Sequence, residues 1–208
     1  MPRKATDTDK KLLLEGRKIL IKKGASKLRV REVADAAKVN LGMFNYYFGN
    51  KETFIEKILS EVYETFLSEL HLTENDPDLA ILESQLLLMA KFSRDNRHLI
   101  LVLLNDILNE EKSVQKFARL KMKKHFVILS KTIKGCQKKN LLVDAPLPFI
   151  LTQLAGGIGF PNLIPEILKN IGINKVSGLP LNIVSKKLMT DEALEMRVKI
   201  LIKGLKKD

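Results

Sequence analysis

The sequence predicts an all-α protein, with a small N-terminal helix-turn-helix segment joined to a larger helical body. Three observations carry that expectation. Apolar residues recur at close to 3.6 residues almost everywhere, and convincing period-two alternation is absent. Residues 30–51 read as two short amphipathic helices around a tight turn, ending in Tyr46-Tyr47-Phe48-Gly49-Asn50-Lys51. The positive charge is concentrated on the same end of the chain: residues 1–51 hold 13 basic and 5 acidic residues, and residues 52–208 hold 23 and 19.

The first helix is expected to open at Thr6, with Asp9 three residues on in the manner of a capping box. Leu12, Leu13, Gly16, Ile19 and Leu20 form its apolar stripe, and Gly24 ends it because glycine tolerates positive φ. The second helix covers residues 31–37, the third 41–48. A fourth starts near Lys51 and runs through Phe54, Ile58, Val62 and Phe66. The polar break at residues 73–77 ends in Pro77, placed to start the next helix. Residues 79–92 and 98–108 follow as apolar helices. A long helix over 113–133 carries Phe117, Leu120, Val127 and Leu129 among many lysines, with Lys121 to His125 as its solvated basic face. Pro146 and Pro148 introduce an apolar segment that meets Gly156, Gly157, Gly159 and Pro161, which should kink or break it. Residues 172–180 read as an irregular connection. Thr190 caps the last helix, whose first turn holds Asp191 and Glu192 against the dipole. The reading gives nine or so helices and no sheet, with domains at residues 1–51 and 52–208.

Composition narrows the classes of function. With 45% hydrophobic and 29% charged residues, the 208-residue chain can bury a core and remain a soluble globule. No apolar run approaches the roughly 18 residues that span a bilayer, and the polar start argues against a signal peptide. The single cysteine, Cys136, excludes an internal disulfide framework and suits a reducing cytoplasm. His71, His98 and His125 lack acidic or cysteine neighbours at metal-ligand spacing, so no metal and no cofactor is expected. Gly156-Gly157-Ile158-Gly159 follows no strand and is not a dinucleotide loop. No nucleophile–base pair or paired carboxylates suggest an enzyme. The net charge of +12 implies a polyanionic partner, and its placement favours DNA.

The chemistry of the two-helix segment agrees. Val33, Ala34 and Ala37 are small enough for two helices to cross, Val39 and Phe44 fill the wedge, and Lys38-Val39-Asn40 makes the turn. The face left outside holds Leu41, Gly42, Asn45 and Tyr46. An asparagine amide pairs with adenine N6 and N7 in the major groove, which makes Asn45 a candidate base reader. Gly42 allows close backbone approach. Two consecutive tyrosines cannot both face inward, so at least one of Tyr46 and Tyr47 is expected on DNA. Tyr47, Lys51, Arg29 and Arg31 are placed for phosphates, contacts that set register without reading sequence. Asn40 is either an N-cap for the third helix or a base contact.

These residues carry a family resemblance. Residues 12–59 resemble the N-terminal DNA-binding domain of TetR-type transcriptional regulators, through Gly24, Val33-Ala34, Gly42 and Tyr47-Phe48-Gly49-Asn50-Lys51, ungapped from Val39 to Lys51. The resemblance implies a larger helical ligand-binding and dimerisation domain and a homodimer on a near-palindromic operator. It also implies a small-molecule effector, unidentified, that releases a repressor. Lys51 and Tyr47 would hold phosphates. Three positions depart from the family: Asn45 where tyrosine is usual, Lys38 where glycine is usual, and Arg29 where serine or threonine is usual. A left-handed lysine costs about 1 kcal/mol. The last two substantial helices, residues 149–168 and 194–205, are the expected dimer faces. The competing reading, a basic helical protein that binds anionic membrane or a protein partner, explains the charge but not the motif.

Overall fold

A computed structural model describes residues 7–71 and 76–207, with no account of the His71 and Met122 side chains. The expected start at Thr6 and the part of the polar break at 73–75 lie outside the described residues. The elements in order are α1 (Thr8–Lys23), α2 (Val30–Ala37), α3 (Leu41–Phe48), α4 (Lys51–His71), α5 (Leu79–Asp95), α6 (Arg97–Leu108), α7 (Lys112–Phe117), a π turn (Ala118–Met122), α8 (Lys123–Lys138), α9 (Leu147–Ile158), α10 (Phe160–Asn170), β1 (Lys175–Val176), β2 (Leu179–Pro180), α11 (Leu181–Leu188) and α12 (Asp191–Leu205). The protein is all-α in class. The described residues form two compact units, one from those up to 65 with 99–123 and one from those in 66–98 with those from 124 onward. Both α4 and α6 contribute residues to each.

The first unit closes α1, α2 and α3 on a core of Leu12, Leu20, Leu28, Val33 and Phe44 with Phe54 and Ile55 of α4, all buried. Phe44, Phe48 and Phe54 meet as a triad, with centroids 5.4, 4.8 and 4.7 Å apart in tilted and edge-on contacts. Gly16 lets α1 lie against it: a Cβ there would stand 2.3 Å from Phe54 Cζ.

The second unit packs α5, α9 and α12 together. Its core contains Leu82, Leu86, Ala90, Leu129, Ile133, Ile150, Leu154, Leu194 and Val198. Cys136 is buried within it, and burial pushes its thiol pKa up. Asp78 caps α5 by accepting from Ile81 N–H at 2.7 Å, and Thr190 caps α12 by accepting from Ala193 N–H at 3.2 Å. Gly157 permits a close α9–α12 approach, since a Cβ there would meet Leu201 Cδ2 at 2.6 Å. The α9–α10 pair bends by 51° at Gly159. The bend is held by fully buried Asn162, whose amide donates to Ala90 O at 3.1 Å and whose Oδ1 accepts from Arg197 at 2.8 Å. No single helix among the described residues is long and apolar enough to cross a membrane.

Two local expectations are corrected. Residues 172–180 form a two-residue antiparallel hairpin, turned by Ser177 and Gly178 at φ 50° and 78°; strands this short carry no readable periodicity. The long helix does not keep one register. The π turn interrupts it, and Leu120 within that turn and Val127 beyond it are 56% and 57% exposed. His125, expected on the solvated face, is buried. Its ring lies 4.2 Å from Phe126 and 6.1 Å from Phe66.

Burial lowers the His125 pKa to about 4 from an ordinary 6.5. The unfolded chain therefore takes up a proton between pH 6.5 and 4 that the folded chain refuses. Stability should be full above pH 6.5 and fall through that window by up to about 3 kcal/mol. Urea midpoints across the window for the native protein and for His125→Phe are predicted to separate as pH falls; parallel curves would contradict a neutral buried imidazole.

Candidate nucleic-acid interface

The turn between α2 and α3 follows from local chemistry. Lys38 sits in the left-handed region at φ 57°, ψ 43°, and its N–H and that of Val39 return to Asp35 O and Ala34 O at 3.1 and 3.0 Å. Those bonds satisfy carbonyls that end α2 and offset the cost of a left-handed lysine. Asn40 then caps α3, its Oδ1 accepting from Gly42 N–H at 2.8 Å. The capping alternative for Asn40 is thus the one the structure adopts. Arg29 stands at the N-cap of α2 in extended conformation with no side-chain cap. At the far end Asn50 caps α4, accepting from Thr53 N–H at 2.8 Å.

These turns give α3 two opposite faces. Phe44 and Phe48 are buried, while Leu41, Gly42, Asn45 and Tyr46 are exposed. Tyr46 is 79% exposed, an unusual position for so large a ring. Tyr47 is half-buried, with its ring edge-on to Tyr46 at 5.1 Å. Arg29 and Arg31 are exposed. Lys51 is half-buried, and its Nζ donates to Ser26 O at 3.2 Å. Lys23 pairs with Glu32 at 2.5 Å. Lys23, Ser26, Lys27 and Arg29 border a shallow cleft on this unit. Among the described residues no group of three His, Cys, Asp or Glu side chains could hold a metal ion.

Sequence reasoning missed Asp106. This α6 residue is 1% exposed. It accepts from Ala25 N–H at 2.7 Å and from Ser26 Oγ at 3.3 Å, clasping the loop that enters α2. Gly24 beside it has φ +85°, and a Cβ there would stand 2.9 Å from Asp106 Oδ1, so two constraints demand glycine. The available signal was an acid one turn from the end of a strongly apolar helix. Ser26 joins the two findings, since its hydroxyl meets Asp106 and its carbonyl meets Lys51.

Residues 12–58 match the bacterial regulatory proteins of the tetR family. Over those residues the chain is similar to the DNA-binding segment of TetR-type regulators. It is 24% identical over 153 residues to the Bacillus subtilis (strain 168) protein named probable HTH-type transcriptional regulator YttP, covering 72% of this chain and 74% of that one. Its fold resembles a TetR transcription regulator from Haloarcula marismortui, with TM-score 0.71 and 14% identity over 97% of this chain and 99% of the other. Salmonella enterica GusR superposes with TM-score 0.67 and 14% identity over 98% of each chain. TetR-family regulators are DNA-binding transcription factors rather than enzymes. Within the matched segment the left-handed turn residue is a lysine and the N-cap of α2 is an arginine.

Asp106→Ala should leave the buried Ala25 N–H without an acceptor and destabilise the protein by about 2 kcal/mol. Asp106→Asn keeps an acceptor oxygen and should recover much of that loss. Urea denaturation of both variants checks this; equal stability of Asp106→Ala and the native protein would remove the clasp.

Proposed function

We propose that the protein is a homodimeric repressor that binds a near-palindromic operator and is released from it by a small-molecule effector in the cytoplasm. The observation that carries the reading is the outward face of α3, where Leu41, Gly42, Asn45 and Tyr46 stand exposed opposite a buried aromatic triad. Such a face fits the major groove. Asn45 and Tyr46 then face base edges, and Tyr47, Lys51, Arg29 and Arg31 take phosphates, with Asn40 holding the end of α3 from the turn.

Apolar exposure on the last helices supports dimerisation. Phe149 lies on α9, Phe160 opens α10, and Met196 and Ile200 lie on α12, each more than half exposed. Gly156 and Gly204 carry open space where a Cβ would be, which suits close helix approach. Joined to the same pair on a second copy, α9 and α12 make a four-helix bundle. Effector release is then a population shift between subunit arrangements that do and do not match the half-site spacing.

Lys51→Ala should weaken binding to all duplexes alike and reduce the slope of log affinity against log salt by about one. An unchanged slope in a salt titration would remove its phosphate role. Asn45→Ala should alter preference among operator variants, with a cost of about 1–3 kcal/mol at one base pair; equal losses on specific and random DNA would argue against base reading. Met196→Glu with Ile200→Glu should convert the dimer to monomer in sedimentation at micromolar concentration, and an unchanged dimer would place the interface elsewhere.

A further inference from the structure

A cleft of about 590 Å³ opens within the second unit, where the end of α5, the start of α6, α10 and α11 meet. That volume is in the range of sites for small molecules. Its lining combines apolar surface from Pro165, Leu181 and Met189 with a group of cations. Arg94, Arg97, Lys169 and Lys186 line it together with Asp95 and Glu166. The charges are not equally engaged. Arg94 is held by Asp95 at 2.8 Å and by Asp191, and those hydrogen bonds raise its pKa and lower that of Asp191.

The other three cations keep capacity to spare. Arg97 donates one hydrogen bond, from Nη1 to Arg94 O at 3.0 Å. Its Nε lies 3.7 Å from Glu166 Oε1, beyond hydrogen-bond distance, and has no acceptor. Lys169 and Lys186 line the cleft without an ion-pair partner among the described residues. One carboxylate, Glu166, stands against these three cations and is itself shared with His98 at 3.6 Å. Asn182 and Ser185 add neutral hydrogen-bonding groups on α11. A planar guanidinium fork with spare donors, flanked by two ammonium groups, is the arrangement that carboxylate and phosphate oxygens satisfy.

We propose that this cleft binds a small organic anion, a carboxylate or a phosphate ester, through Arg97, Lys169 and Lys186, and that this anion is the effector. The assignment rests on the reading of the protein as effector-released. The cleft includes the first residue of α6, and nine residues further along the same helix Asp106 clasps the loop that enters α2.

Calorimetric titration of the full-length protein with citrate, glucose 6-phosphate and glucose tests the site. Citrate or glucose 6-phosphate should bind with Kd below about 1 mM, and the better of the two separates carboxylate from phosphate chemistry; glucose should not bind. Lys169→Glu with Lys186→Glu should weaken that binding by about tenfold or more. Lys134→Glu with Lys138→Glu, the same charge change at another cleft, should not. Absence of binding by both anions, or equal losses in the two double variants, overturns the site. A gel shift separates the site from the reading beneath it. Anion binding that leaves operator DNA bound supports the site while removing its role as effector site. Release by small molecules of a cell extract, undiminished in Lys169→Glu with Lys186→Glu, keeps the effector reading and overturns the cleft.

Discussion

The carboxylate of Asp106 is the constraint on which the geometry of the DNA-facing unit depends. It is buried, and it meets a backbone N–H and a hydroxyl rather than a cation. Burying a carboxylate is costly unless donors are fixed in place to receive it. The donors here belong to the loop between α1 and α2, so α6 and that loop cannot separate without stranding the charge. The same loop offers Ser26 O to Lys51, at the first turn of α4. One buried acid thus fixes the entry to α2, and through Ser26 the lysine at the far side of the reader.

The second constraint is the aromatic triad. Phe44 and Phe48 lie one turn apart on α3 and both meet Phe54. Residues four apart share one face of a helix, so burying these two commits the opposite side of α3 outward. Asn45 and Tyr46 are exposed because Phe44 and Phe48 are not. The turn enforces the same rotation from the other end, with Lys38 left-handed and Asn40 capping.

What was legible in the sequence was local. The α2–turn–α3 segment could be read because its cap, its left-handed turn residue and its buried aromatics act within a few residues of one another. Thr190 and its acidic first turn were readable for the same reason. The rest depends on contacts distant in the chain. Asp106 reads as the polar end of an apolar run until Ala25, 81 residues away, is brought to it. His125 reads as surface because it ends a lysine-rich run, yet it stands three, four and seven residues before Ile128, Leu129 and Thr132 on the buried face of α8. The cationic cleft gathers Arg97, Lys169 and Lys186 from three helices and has no linear signature.

The central claim is that α3, held in this geometry, reads a defined duplex sequence as a two-fold dimer. Affinity selection from random-sequence duplexes, followed by footprinting of the enriched pool, tests it most directly. The account predicts an inverted repeat whose half-sites are centred about one helical turn apart, or a little more, protected on one face of the duplex. A pool with no enriched sequence, or protection without two-fold symmetry, would contradict it.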